Sequence, residues 1–161
     1  MSAHDPTPHV FRKAGTADFV TAIDATVAGS DAEPDRYEFV LKHEDTQSRY
    51  SMIDMVLSRT FDSAPGHSHR QHSETFYMVS GEMEWTVEGE TQILGPGDLV
   101  FVPPFAHHIG RTVGDESPRV LLIWEPAGWE VGMVESAGLT AEQRADSEFM
   151  AEFRVRNDTY L

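Results

Sequence analysis

Two histidines one residue apart, His67 and His69, are followed by Glu74, and a third imidazole, His108, lies well downstream. Three ring nitrogens and one carboxylate make a full protein shell for one divalent metal, provided the fold unites the two segments. In a strand, residues i and i+2 share a face about 6.5–7 Å apart along the chain. Two imidazoles so placed can converge on one ion at about 2.0–2.2 Å. The chain has no cysteine, which removes thiolate metal sites, disulfides and thiol nucleophiles together. Any metal is then held by nitrogen and oxygen, a set that suits Fe, Mn, Co, Ni, Cu or Zn without choosing among them. The run His67, His69, His72 taken alone also fits a solvated loop, so the elements around it decide.

Those elements read as short strands. Residues 37–41, 50–57 and 75–79 have strand character, and 82–88 alternates cleanly, with Met83, Trp85 and Val87 inward and the glutamates outward. Gly89 permits a reversal into 91–94, and Gly95-Pro96-Gly97-Asp98 is a turn. Strand 99–102 ends at Pro103-Pro104, and 107–113 and 119–124 complete the series. Strands at this spacing, punctuated by Gly and Pro, imply an all-β, antiparallel closed-barrel or two-sheet architecture. Three segments follow: an N-terminal extension at 1–35, a β domain at 36–126, and a C-terminal segment at 127–161. The stretch 18–28 has helix-like spacing but equally suits an edge strand paired with a second subunit. In the last segment Thr140 and Gln143 form a capping-box pattern that opens one helix over about 141–153.

The chain's 161 residues, 40% of them hydrophobic, suit one domain with a proper core. No apolar run approaches the roughly 18 residues of a membrane span, and the first residues do not read as a secretory signal. With the missing cysteines this fits a cytoplasmic enzyme. A net charge of −15, without a basic patch, argues against nucleic-acid or anionic-membrane partners.

Residues 65–82 resemble the first cupin motif: His67-any-His69, four residues, Glu74, six residues, Gly81. Residues 97–108 resemble the second, running from Gly97 through Pro103 to His108. The likeness covers roughly residues 37–125. It departs at Phe61 and Phe105, where glycine is usual, and at Thr112, where Asn is frequent. The resemblance implies a cupin-type antiparallel β-barrel or jelly roll with His67, His69, Glu74 and His108 on one divalent transition metal. His72 and His107 would then sit behind the ligands, one of them orienting Glu74 or shuttling a proton.

Alternation nominates Tyr50, Met52, Phe76, Met83, Trp85, Phe101, Phe105 and Trp124 for an aromatic cavity that takes a planar or polycyclic metabolite. Arg111 or Arg119 would stand at its mouth. Within cupins the chain looks most like the single-domain quercetinase-like group, which implies a dioxygenase acting on an aromatic or enolic substrate. Glu74 would be both ligand and general base, its basicity raised by desolvation against Phe76 and Trp85. Two alternatives stand beside it: a non-redox cyclase, isomerase, dehydratase or decarboxylase, and a ligand-binding sensor. A homodimer is expected, because exposed sheet edges need covering.

Overall fold

The computed structural model describes residues 9–22 and 34–161. Among them nine strands run in chain order: β1 (Phe19–Ala22), β2 (Asp35–Leu41), β3 (Ser51–Val56), β4 (Ser73–Ser80), β5 (Glu82–Val87), β6 (Glu90–Leu94), β7 (Leu99–Val102), β8 (His108–Val113) and β9 (Arg119–Glu125). They form two antiparallel sheets, ordered β1-β2-β3-β9-β4-β7 and β6-β5-β8. Of the two expected forms, the hydrogen-bonded strands thus make the two-sheet one rather than a closed ring. A short helix, α1 (His43–Thr46), joins β2 to β3, and α2 (Trp129–Ala137), α3 (Ala141–Ala145) and α4 (Ser147–Arg156) follow the last strand.

Both sheets supply one core. Phe39, Ile53, Met78, Val120, Leu122 and Trp124 come from the larger sheet and Met83 and Trp85 from the smaller, all almost without solvent contact. Each such side chain contributes about 1.5–3 kcal/mol on burial. On β5 the alternation holds, with Met83 and Trp85 buried between the exposed Glu82 and the half-exposed Glu84 and Thr86. Trp85 pairs across the ladder with Gly110. A Cβ at Gly110 would stand 2.9 Å from the indole, so only glycine lets that ring lie flat on β8.

Two terminal expectations change. Residues 19–22 are a strand, not a helix, and Phe19 to Ala22 pair with Glu38 to Asp35 of the same chain rather than with a second subunit. Intrachain pairing overrides a weak helical period because Val20 and Thr21 favour strand. The rest of that stretch, 23–28, lies outside the described residues. The single helix over 141–153 is two, α3 and α4, broken at Asp146, whose backbone is extended and whose carboxylate caps α4 through the amides of Glu148 and Phe149. The Thr140–Gln143 capping box opens α3. Helix α2 has no counterpart in the sequence reading, since Gly132, Val131 and Val134 are weak helix formers. It is anchored instead by its buried Glu130, which accepts from the backbone N–H of His43 at 2.6 Å and lies 2.9 Å from that residue's Nδ1.

Candidate metal centre

Glu74 is the second residue of β4, on the face it shares with Phe76 and Met78, and all three are buried. His108 opens β8 on the inward face. The loop before β4 is stitched to it by a two-way bridge: the His67 amide donates to the His108 carbonyl at 3.1 Å, and the His108 amide to that of His67 at 2.9 Å. That close approach depends on Gly66, which has φ +88° and whose added Cβ would meet the His108 carbonyl at 2.7 Å. The bridge brings His67 beside His108 (ring centroids 4.4 Å apart), and His69 sits 4.8 Å from His67 and 5.6 Å from His108. One ligand-capable atom from each of His67, His69, Glu74 and His108 lies within 4.8 Å of every other.

The protons around this point are constrained. His69 Nδ1 lies 2.7 Å from the Asp158 carbonyl and His108 Nδ1 lies 3.2 Å from the Ala106 carbonyl. A carbonyl only accepts, so both Nδ1 atoms carry the hydrogen, and in the neutral rings both Nε2 atoms present lone pairs. These face Glu74 Oε2, at 3.4 Å from His69 and 2.9 Å from His108. All three atoms are buried without a well-directed hydrogen bond. Three lone pairs aimed at each other in a dry pocket repel unless a positive charge sits among them. The donor set, its spacing and these orphaned atoms all fit a divalent transition metal.

The electrostatics agree. Burial, with the nearby His108, pushes His67 down to about 3 against the pull of Glu74, so it is neutral at physiological pH, as a ligand must be. Burial disfavours a proton on His69 too, but the Glu74 carboxylate and the Asp158 carbonyl outweigh it and hold its pKa above the usual 6.5. Glu74 moves opposite to expectation. Burial raises its pKa, yet His108 and His69 reverse the sign and leave it below the usual carboxylate range. Desolvation by Phe76 and Trp85 is real but loses to two imidazoles in contact with the carboxyl.

A support that sequence reasoning missed comes from the C-terminus. The Asp158 carboxylate accepts from the backbone amides of Arg70 (3.1 Å) and Gln71 (2.8 Å), and lies 2.6 Å from His72 Nδ1. Beside it Ser68 and Tyr160 bridge, and the Arg70 guanidinium covers the Tyr160 ring at 3.9 Å. Residues 158–160 therefore grip the loop that carries His67 and His69. His72 does not orient Glu74; it binds Asp158 and packs against Trp124 at 4.9 Å. His107 is exposed, on the side of the chain opposite to His108.

A cavity of about 230 Å³ opens onto His67, Glu74 and His108. Of the nominated lining residues, Phe76 and Trp85 form part of its wall, their rings 4.2 Å apart. Met83 and Trp124 are fully buried core instead, with Trp124 edge-on to His69 at 4.6 Å and stacked on Trp129. Four further nominations are corrected. Tyr50 and Met52 share strand parity with Asp54, which pairs with Arg119 on the outer face, so Ser51, Ile53 and Met55 are the inward set. Phe101 stands opposite Thr75, while Val102 stands opposite the inward Glu74, which leaves Phe101 55% exposed. Phe105 sits in the turn after Pro104 with φ +72° and is 70% exposed. Arg111 and Arg119 lie near Glu84 and Asp54 rather than at the mouth. Tyr37, Met55, Leu57, Phe61, Leu122 and Trp129 line the cavity in their place. The charged residue Asp54 was the signal in the sequence that could have set the β3 phase.

The cupin domain profile matches residues 57–124. Over 50 residues the chain is 38% identical to quercetin 2,3-dioxygenase of Bacillus subtilis, a match that covers 31% of this chain and spans 15% of that protein's length. A structure described as a predicted oxalate decarboxylase from Thermotoga maritima superposes with a TM-score of 0.62 at 16% identity, over 73% of this chain and 99% of that one. The polyketide cyclase RemF from Streptomyces resistomycificus superposes at 0.55 and 19% identity, over 72% and 80%. Those two likenesses are of fold alone. The two facing antiparallel sheets, both histidine motifs converged on one point and the domain match together identify residues 57–124 as a cupin domain.

Proposed function

We propose that this cupin is a metal-dependent enzyme of the dioxygenase type, acting on a small, uncharged, aromatic or enolic metabolite. One observation carries the reading: the converging donors of His67, Glu74 and His108 close one end of a cavity whose remaining lining residues bear no charge. At about 230 Å³ the cavity falls below the roughly 300–1,000 Å³ of sites for drug-sized ligands. That favours one ring, or a compact fused pair, over a polycyclic skeleton. With no Lys or Arg in the lining, any charge of a sugar phosphate or a dicarboxylate beyond the group that the metal takes would stay unpaired, at a cost of several kcal/mol. The local likeness to a quercetin dioxygenase points the same way.

His67, His69, Glu74 and His108 would hold the metal. When bound, it supplies Lewis acidity toward an enol oxygen and, if redox-active, a route for electrons between substrate and O2. The chain does the rest. Phe76 and Trp85 present a flat apolar face that orients a ring, and the dry wall excludes water. Glu74, ionised at neutral pH, accepts the hydroxyl proton as the enol enters. The same ionised carboxylate favours a second reading, a non-redox isomerase, cyclase or dehydratase, since proton abstraction alone needs no oxidant. Oxygen uptake separates them. With metal-loaded protein and a panel of enolised diketones and phenols, turnover with stoichiometric O2 consumption supports the first. Turnover without O2 consumption replaces it with the second, and binding without turnover removes both.

A further inference from the structure

A second cavity lies away from the metal, between β1, β2 and the C-terminal helices. It measures about 600 Å³, within the range of small-molecule sites. Val20, Trp129, Met133 and Phe153 supply an apolar floor, and Asn157, Thr21 and Thr159 add neutral polar groups. Its charge is the unusual feature. In a chain of net charge −15, the described lining holds two arginines, Arg144 and Arg154, and no aspartate or glutamate. Arg144 donates to the backbone carbonyl of Ser136, which aims its guanidinium along the rim without neutralising it. Arg154 is half-buried and its guanidinium has no acidic partner among the described residues. The neighbouring Arg156, by contrast, pairs with Glu135 outside the cavity at 2.9 Å. Guanidinium forks of this kind favour planar carboxylates and tetrahedral sulfonate or phosphate oxygens.

We propose that this cavity is a binding site for an amphipathic organic anion: an apolar body on the Val20–Trp129–Phe153 floor and one acidic head on Arg144 and Arg154. The site stands apart from the metal reading, although Tyr37 and Trp129 wall both cavities, so an occupant touches the rings that close the inner one. Anilinonaphthalene sulfonate has the required chemistry, and phenylnaphthylamine is the same body without the charge. The test measures fluorescence titrations of both probes with the intact protein, with the double variant Arg144→Gln/Arg154→Gln, and with Ala137→Trp, which fills the rim from an exposed position. Removing two charge-assisted contacts should weaken the sulfonate by about 10-fold or more and leave the neutral probe within about two-fold. Ala137→Trp should weaken both probes, and the metal content of all variants should match the parent. Equal sulfonate affinity in parent and double variant, or equal loss of both probes in it, overturns the charge assignment. Unchanged binding in Ala137→Trp overturns the location, and no binding of either probe to the parent overturns the site.

Discussion

Glu74 is asked to do two things that pull its proton affinity in opposite directions. A ligand carboxylate should stay ionised, and a general base should hold a proton once it has taken one. Burial serves the second demand, while contact with His69 and His108 serves the first and prevails. The proposed base role nevertheless requires that Glu74→Gln keep most of the metal, because an amide oxygen can still point at it, yet lose about 10²–10⁴-fold in kcat. Metal analysis and steady-state rates on the same preparation check this, and an unchanged rate would reduce Glu74 to a ligand. His69 gives the pH dependence. Its pKa is raised above 6.5, so below that raised value it carries a proton on the nitrogen a metal needs. Through the pH range below that raised value, metal affinity should climb by about tenfold per unit for the one proton displaced, and it should flatten above it. Affinity that is flat across that window would show that His69 binds no metal.

At the scale of elements, the site depends on a loop held from both sides. Strand β8 grips it through the His67–His108 bridge, and the segment after α4 grips it through Asp158. Supporting contacts of this kind commonly change metal affinity by 10–100-fold when removed. Asp158→Ala, or a chain ending at Asn157, should thus bind metal about 10–100-fold more weakly with the sheets intact by circular dichroism; full affinity would mean that β8 alone positions His69. The meeting of His67, His69, Glu74 and His108 was legible through the likeness to the two cupin motifs, because the spacing within each motif is a local fact. Parity is also why β5 was readable: glutamates alternating with Met83 and Trp85 name the outer face. Strand β7 offered no such mark, since Leu99, Val100, Phe101 and Val102 are all apolar, and only pairing with Glu74 picks Val102 as inward. Asp158 was illegible for a different reason. It lies 89 positions from His69, and no local pattern links a C-terminal turn to a metal loop.

For the whole molecule, the larger sheet ends at β7, and its outer face there is apolar. Tyr77 pairs with Leu99 and Thr75 with Phe101, and Tyr77, Val79, Leu99, Phe101 and Phe105 are all exposed. Among the described residues nothing covers this edge strand, and its composition invites pairing with another chain, so we propose this face rather than β1 for a homodimer contact. Light scattering should give the mass of two chains, and Leu99→Lys with Phe101→Lys should halve it without loss of metal. A parent at single-chain mass would remove the dimer. Everything said of catalysis rests finally on the metal, and elemental analysis of the purified protein measures it directly. One transition-metal ion per chain in the parent, and near-complete loss in both His69→Ala and His108→Ala, is the result this account predicts. A parent without any such ion after loading, or full retention in both variants, would contradict it.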